Sequence, residues 1–197
     1  MQFIAISGID GSGKTTQADR LEKYLTEKEK KAKRFHAVSF SLANKIASNK
    51  NKETKSIKSV TKANNFQIFL RKIFLLIDIC RFKKYQKKLE DNGVDFLVAD
   101  RYFYDQIINI LYLSKKENLS GLLKLAEKKI TPPDLYFWIN IAPEVALQRE
   151  RQIDQGIDYL KKKRALYQKF SSPWQMQMIE GGQSKEKVFE KIKSSIF

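Results

Sequence analysis

Cysteine, histidine and long apolar runs are what this chain has least of. Its 197 residues include one cysteine, Cys80, and one histidine, His36. A single cysteine excludes a disulfide scaffold and a cysteine-built zinc site, and a single histidine excludes a histidine metal cluster. No apolar run approaches the ~20 residues that cross a bilayer, so no membrane partner is expected. The opening MQFIAIS goes straight into a strand-like pattern, with no basic segment ahead of a long apolar one. No secretion signal is expected from it, and a reduced, cytoplasmic setting follows. Acidic residues are also in deficit: 22 Asp+Glu stand against 38 Lys+Arg, a net charge of +16. Such an excess suits a nucleic-acid binder or a protein that handles polyanionic small molecules. The lysines are dispersed, however, and often alternate with glutamate, as in KYLTEKEKKAKR over 23–34. That favours a solvated basic surface, with nucleotide attraction second and nucleic-acid binding last.

What is present is an alternation of strands and helices. FIAIS over 3–7 reads as a buried strand, RFHAVSF over 34–40 as a second, VDFLVA over 94–99 as a third and LYFWINI over 135–141 as a fourth. A weaker fifth lies in WQMQMIE over 174–180. Between them run helical patterns over 14–31, 65–90, 102–116, 119–129, 143–152 and 157–170, with a last helix from Lys185. The middle of the long helix, IFLLIDIC over 73–80, is apolar nearly all round and is expected to be buried. Residues 44–62 are rich in Asn, Ser and Lys and read as weakly structured. The alternation predicts an α/β domain whose five-stranded parallel sheet is covered on both faces by helices. A length near that of one average domain of roughly 150 residues fits one domain over 1–197. Within it, two inserts interrupt the pattern, at about 36–80 and at about 149–160.

Gly8-Ile9-Asp10-Gly11-Ser12-Gly13-Lys14-Thr15 fits the pattern G-x-x-x-x-G-K-[ST] of a phosphate-binding loop, with a strand before it and a helix after it. Glycines let successive N–H groups turn toward an anion, and the helix N-terminus adds partial positive charge. Lys14 can reach terminal phosphates, and the Thr15 hydroxyl can ligate Mg²⁺. Asp100 closes the third strand at its carboxyl end, where open parallel sheets place their chemistry, and can hold Mg²⁺ directly or through water. Arg101 follows it, placed to pair with a phosphate.

Taken in order, these segments resemble the thymidylate kinase family of P-loop nucleoside-monophosphate kinases. The opening FIAISGIDGSGKTTQADRLEKYL, with Thr16-Gln17 after the loop, is similar to that family's start, and Asp100-Arg101-Tyr102 to its DRY motif. Pro133-Asp134-Leu135 and APEVALQR over 142–149 resemble its fourth strand and the helix leading to the lid. Ile157-Asp158-Tyr159, Arg164 and Tyr167 resemble its post-lid helix, and Glu180-Gly181-Gly182-Gln183-Ser184 the loop that cups adenine. The resemblance implies a three-layer P-loop fold and transfer of the ATP γ-phosphoryl group to a nucleoside monophosphate, dTMP before others. ATP and Mg²⁺ are the implied cofactors, small nucleotides the implied partners, and a homodimer the implied assembly.

It also implies roles. Gly11, Ser12, Gly13, Lys14, Thr15, Thr16, Arg149 and Gly182 would bind ATP, and Thr15 and Asp100 the metal. Lys14, Arg101 and a lid arginine, for which Arg151 is the candidate, would stabilise the transferring group. Arg101 would grip the acceptor phosphate, Asp10 the acceptor 3′-hydroxyl, and Arg81, Asp105 and Asn109 would line the acceptor site.

The chain departs from the family on its acceptor side. The T-R-E-P-G-type segment after the second strand is replaced by Phe35-His36-Ala37-Val38-Ser39-Phe40-Ser41, without its arginine and proline. The usual stacking aromatic is Ile77, the small hydroxyl residue is Asp105, and the later polar partner is Asn109. One further departure, Ser7 in place of an acidic residue, stands just before the loop. His36 reads as an ordinary strand-end residue. Asp78 and Arg81 share a helix face in apolar surroundings, which fits a buried ion pair as well as a site. Two other functions remain open from sequence: a kinase for another small acceptor, with Asp105 as a base at a hydroxyl, and a nucleic-acid-associated regulatory NTPase.

Overall fold

The computed structural model describes residues 1–43, 63–149 and 155–197. Five parallel strands form one sheet: β1 (Gln2–Ser7), β2 (Ala32–Phe35), β3 (Phe96–Asp100), β4 (Leu135–Asn140) and β5 (Gln177–Glu180), in the order β2-β3-β1-β4-β5. The helices among the described residues are α1 (Lys14–Glu27), α2 (Ala37–Phe40), α3 (Asn65–Asp91), α4 (Phe103–Ser114), α5 (Leu122–Lys129), α6 (Pro143–Gln148), α7 (Gly156–Ser171) and α8 (Lys185–Ser194).

Period-2 alternation along the strands separates two cores. Phe3 and Ala5 of β1, Leu97 and Ala99 of β3, and Tyr136 and Trp138 of β4 face α3, α4, α5 and α7. Ile4, Ile6, Phe96, Val98, Phe137 and Ile139 point the other way, onto α1 and α8. Because both faces are covered, the strands read as unbroken apolar runs, and the three layers expected from sequence result.

The register fixes what meets at the carboxyl edge. Ile6 pairs with Asp100 and Ser7 with Trp138, so the loops leaving β1, β3 and β4 emerge together.

Two expectations need correction. Residues 34–40 are not one strand: β2 ends at Phe35, and α2 begins after His36. The His36 Nδ1 accepts the Ser39 N–H at 3.3 Å, the contact of a helix N-cap, and Phe35 and Phe40 pack on each other at 5.2 Å between ring centroids. The apolar middle of α3 is also not buried all round. Leu75, Asp78 and Ile79 are buried, while Ile77 and Cys80 are exposed.

Candidate functional site

The loop between β1 and α1 is shaped by close backbone approach. A Cβ on Gly8 would lie 2.7 Å from both the Ile139 carbonyl oxygen and Ser12 Oγ, and Gly13 caps α1 at φ +89°. Both positions call for glycine. Lys14, at the first turn of α1, is buried, and its Nζ donates to the Ile9 carbonyl at 2.7 Å, folding the ammonium back over the loop. Burial pulls its pKa down to about 7, with Arg101 adding to the effect and Asp10, Asp105 and Asp100 opposing it.

A cleft of about 580 Å³ opens beside the loop. Gly11, Ser12, Gly13, Lys14, Thr15 and Thr16 form one wall, and Arg149, Gly181, Gln183 and Lys185 form much of the other. Arg149 bridges the walls, donating to the Gly11 carbonyl at 3.1 Å and the Gly181 carbonyl at 2.7 Å. Gln17 ties α1 to the start of α8 through the Lys185 carbonyl at 2.9 Å. The neighbours of Gly182 line the cleft, whereas its own N–H turns to Glu180 at 3.1 Å. Ser12 Oγ is buried and has no hydrogen-bond partner among the described residues, which suits a loop built to take an anion.

At the end of β3, Asp100 gives one oxygen to Arg34 of β2 at 3.1 Å. Its other oxygen, Oδ1, is buried and without a partner among the described residues. Arg101 follows in the left-handed region, at φ +67°, a conformation a non-glycine residue adopts only when its surroundings impose it. Its N–H bonds the Ile6 carbonyl at 3.1 Å, and its guanidinium pairs with Asp10 of the loop. The other Asp10 oxygen accepts the Tyr159 hydroxyl at 2.7 Å, and Lys163 donates to that hydroxyl at 2.8 Å. Burial alone would push the Asp10 carboxyl up; Arg101, Lys14 and Lys163 outweigh it and hold the group well below the carboxylate range. For Arg101 the balance runs the same way: burial disfavours the cation, and Asp10 more than offsets it.

A glycine-rich loop with a buried lysine, a strand-end Asp-Arg pair reaching back to that loop, and a cleft between the loop and the turn after β5 together specify a nucleotide kinase frame. Comparison with known proteins agrees. The family model for thymidylate kinase matches residues 6–192. The chain belongs to the thymidylate kinase family. It is 30% identical to the thymidylate kinase of Thermosipho africanus, covering 98% of this chain and 96% of that protein. It is 28% identical to the thymidylate kinase of Caldicellulosiruptor saccharolyticus, covering 99% and 95%. With a probable thymidylate kinase of Archaeoglobus fulgidus the identity is 27%, covering 98% and 94%.

Within this family frame the acceptor-side residues fall into two groups. Asp10 and Arg101 meet at the loop. Asp105 does not reach an open cleft. It is buried on α4, and its carboxylate accepts the Ser7 hydroxyl, the Tyr102 N–H at 2.7 Å and the Tyr167 hydroxyl at 2.6 Å. A carboxylate so engaged is an anchor and is not placed to act as a base on an incoming hydroxyl, contrary to the expectation from sequence. Burial, with Asp105 nearby, raises the Tyr136 and Tyr167 hydroxyls well above their usual pKa, so both stay protonated donors. Asn109 is half-buried one turn beyond Asp105.

Arg81 is a partner of the acceptor segment's backbone. Its Nη1 donates to Asp78 at 2.6 Å and to the Phe40 carbonyl at 3.1 Å, with its guanidinium 4.4 Å from the centre of the Phe40 ring. Asp78, fully buried, also accepts the Leu42 N–H at 3.2 and 3.3 Å. The Asp78–Arg81 pair thus pins residues 40–42 to α3. Arg151, the expected lid arginine, lies outside the described residues, as do 44–62 and residues 150–154 of the expected lid, whose second half from Gly156 is the start of α7.

Two side chains matter here that the sequence pattern does not single out. Arg34 reaches Asp100 from the neighbouring strand, and Lys163 enters the Asp10 cluster from α7. A signal for Lys163 exists: Tyr159, Lys163 and Tyr167 recur every four residues, on one buried face.

Proposed function

We propose that this chain transfers the γ-phosphoryl group of ATP to dTMP, forming ADP and dTDP, as a single kinase domain. The observation that carries this reading is Arg101. Left-handed at the end of β3, it brings its guanidinium against the loop's Asp10, beside buried Lys14. A cation held at that edge is suited to an acceptor phosphate next to a donor phosphate.

On this reading the cleft between Gly11–Thr16 and the Gly181–Gln183 turn takes ATP. Backbone N–H groups of the loop face the phosphates, Lys14 neutralises the β/γ-phosphates, and Arg149 and the Gly182 turn flank the nucleotide. Arg101 orients the acceptor phosphate, Asp10 the acceptor ribose, and Arg151 supplies lid charge to the transferring group. Asn109 and the Arg81-braced segment border the acceptor base. Asp105 positions this machinery from below. Catalysis is then positioning plus charge stabilisation in a site that excludes water.

Mg²⁺ fits the residues present. Asp100 keeps one buried oxygen without a partner among the described residues, and Thr15 lies exposed at the cleft. Among the described residues no group of three or more His, Cys, Asp or Glu could cage a metal alone. A hydroxyl and a carboxylate completed by phosphate and water oxygens is a donor set for Mg²⁺. When bound, the ion neutralises charge on the β- and γ-phosphates.

No helix among the described residues is long and apolar enough to cross a membrane; a cytoplasmic site of action is part of the proposal. A homodimer is the assembly the family resemblance implies, and Phe66, Phe69 and Ile77 form an exposed strip of α3 suited to it.

The deciding experiment measures ADP formation from Mg·ATP with dTMP, dUMP, other monophosphates and thymidine, alongside Lys14→Met. Turnover requiring dTMP and lost in the variant is expected. Turnover with thymidine in place of dTMP overturns the monophosphate acceptor.

A further inference from the structure

A buried ammonium is an expensive thing to keep in a core, and Lys163 is one. It is 5% exposed and sits on α7 one turn from Tyr159. Its Nζ donates to the Tyr159 hydroxyl at 2.8 Å and lies 4.8 Å from the centre of the Tyr159 ring. Tyr159 in turn donates to Asp10 Oδ2 at 2.7 Å, while Arg101 holds Asp10 Oδ1. Asp10 is therefore gripped from two sides: directly by Arg101, and through a phenol by Lys163.

This double grip has a physical use. Arg101 Nη2 is committed to Asp10, so a phosphate gripped by both terminal nitrogens competes with Asp10 for it. To take a phosphate monoester, Arg101 must give up part or all of its contact with Asp10. A partly buried carboxylate left alone at that moment would be destabilised, and the exchange would be opposed. Lys163 and Tyr159 remain on the far oxygen and keep the carboxylate compensated.

We propose that Lys163, acting through Tyr159, is a positioning residue that holds Asp10 while Arg101 exchanges it for the acceptor phosphate. The proposal rests on the reading of Arg101 as the grip on that phosphate. It adds a cation, beside Arg101 and Arg81, to the acceptor side of a chain whose segment 35–41 has no arginine. Lys163 touches neither substrate in this scheme; it acts by lowering the free energy needed to release Arg101.

The test is a set of KM and kcat values for both substrates. Lys163→Met keeps the aliphatic volume and removes the charge. It should raise the KM for dTMP by about tenfold, the range of coupling seen within one ion-pair network, and leave the KM for ATP and the saturated kcat within about threefold. Tyr159→Phe breaks the same chain and should reproduce the effect; it carries the test if Lys163→Met does not fold. The double variant should be no worse than either single one. In an Arg101→Met background, Lys163→Met should have no further effect on the dTMP KM.

An unchanged dTMP KM in Lys163→Met, or equal rises for ATP and dTMP, overturns the proposal. A dTMP KM unaffected by Arg101→Met overturns the underlying reading instead, so the two failures are distinguishable.

Discussion

The Ser7 hydroxyl donates to the Asp105 carboxylate across 98 residues of chain, in the buried space beneath the phosphate-binding loop. Ser7 ends β1 just before Gly8, and Asp105 lies in the first turn of α4. The family pattern described above has an acidic residue at the first position and a small hydroxyl at the second. Here the two chemistries have changed places, and in this chain they meet in a carboxylate–hydroxyl contact. Tyr136 joins it, 3.0 Å from the Ser7 hydroxyl.

The reciprocal exchange is the first prediction. Ser7→Glu alone sets two carboxylates against each other, and Asp105→Ser alone leaves the Tyr102 N–H and Tyr167 hydroxyl without their acceptor. Each single variant should lose about 1–3 kcal/mol. The double variant should recover more than half of the combined loss, read by denaturant unfolding. Strict additivity would mean that the two positions are not coupled.

Lys14 should be dispensable for folding and indispensable for transfer. Lys14→Met removes a buried cation from the free protein, so its thermal midpoint should hold or rise. Its rate should fall on the order of 10³-fold, the scale of losing one charge-stabilising donor in the transition state. A large drop in the midpoint would assign Lys14 to the core rather than to phosphate.

Lys163 gives a pH dependence of known sign. Burial depresses its pKa from 10.5 to about 8. Between those values the unfolded chain binds more protons than the folded one, so this group's contribution to stability rises with pH. Below pH 8 both states are charged and the whole penalty stands, about 3 kcal/mol. Lys163→Met should therefore be more stable than the parent at pH 7, and the gap should narrow by pH 10. A variant less stable at pH 7 would mean that the Tyr159–Asp10 contact outweighs the burial penalty.

Asp78 should matter more than Arg81. Asp78→Ala strands the Leu42 N–H and removes the carboxylate partner of Arg81, whereas Arg81 is partly solvated and its loss leaves Asp78 still bonded to Leu42. The expected losses are about 2–3 kcal/mol for Asp78→Ala and about 1 kcal/mol for Arg81→Met. Hydrogen exchange at residues 40–42 should speed up in the first. Equal losses would overturn the assignment of Asp78 as the anchor.

The parts of the molecule legible from sequence are those written in local signals. The loop over 8–15 is fixed by glycine and lysine spacing, and the strands by short apolar runs with breaks on either side. What was missed depends on distance or direction. RFHAVSF carries the strand formers Phe35, Val38 and Phe40, and the His36 cap that opens a helix in its second half is not visible in that pattern. Ile77 and Cys80 look like core in a list of apolar residues and are exposed once α3 is laid on the sheet. Lys161, Lys162 and Lys163 are one basic run in sequence, and the helix face decides that the third points inward. Ser7 and Asp105 register as two unrelated departures until the fold brings them together.

The strand order β2-β3-β1-β4-β5 divides labour along the sheet. The elements that wall the nucleotide cleft follow β1, β4 and β5, and the unusual acceptor-side residues of this chain follow β2 and β3 or lie on α3 and α4. The two halves meet at β1 and its loop and through α7, whose Tyr159 and Lys163 reach Asp10 and whose Tyr167 reaches Asp105. The exposed face of α3 touches none of these shared elements and can change without reaching the loop, whereas Arg34 on β2 cannot be altered without releasing Asp100.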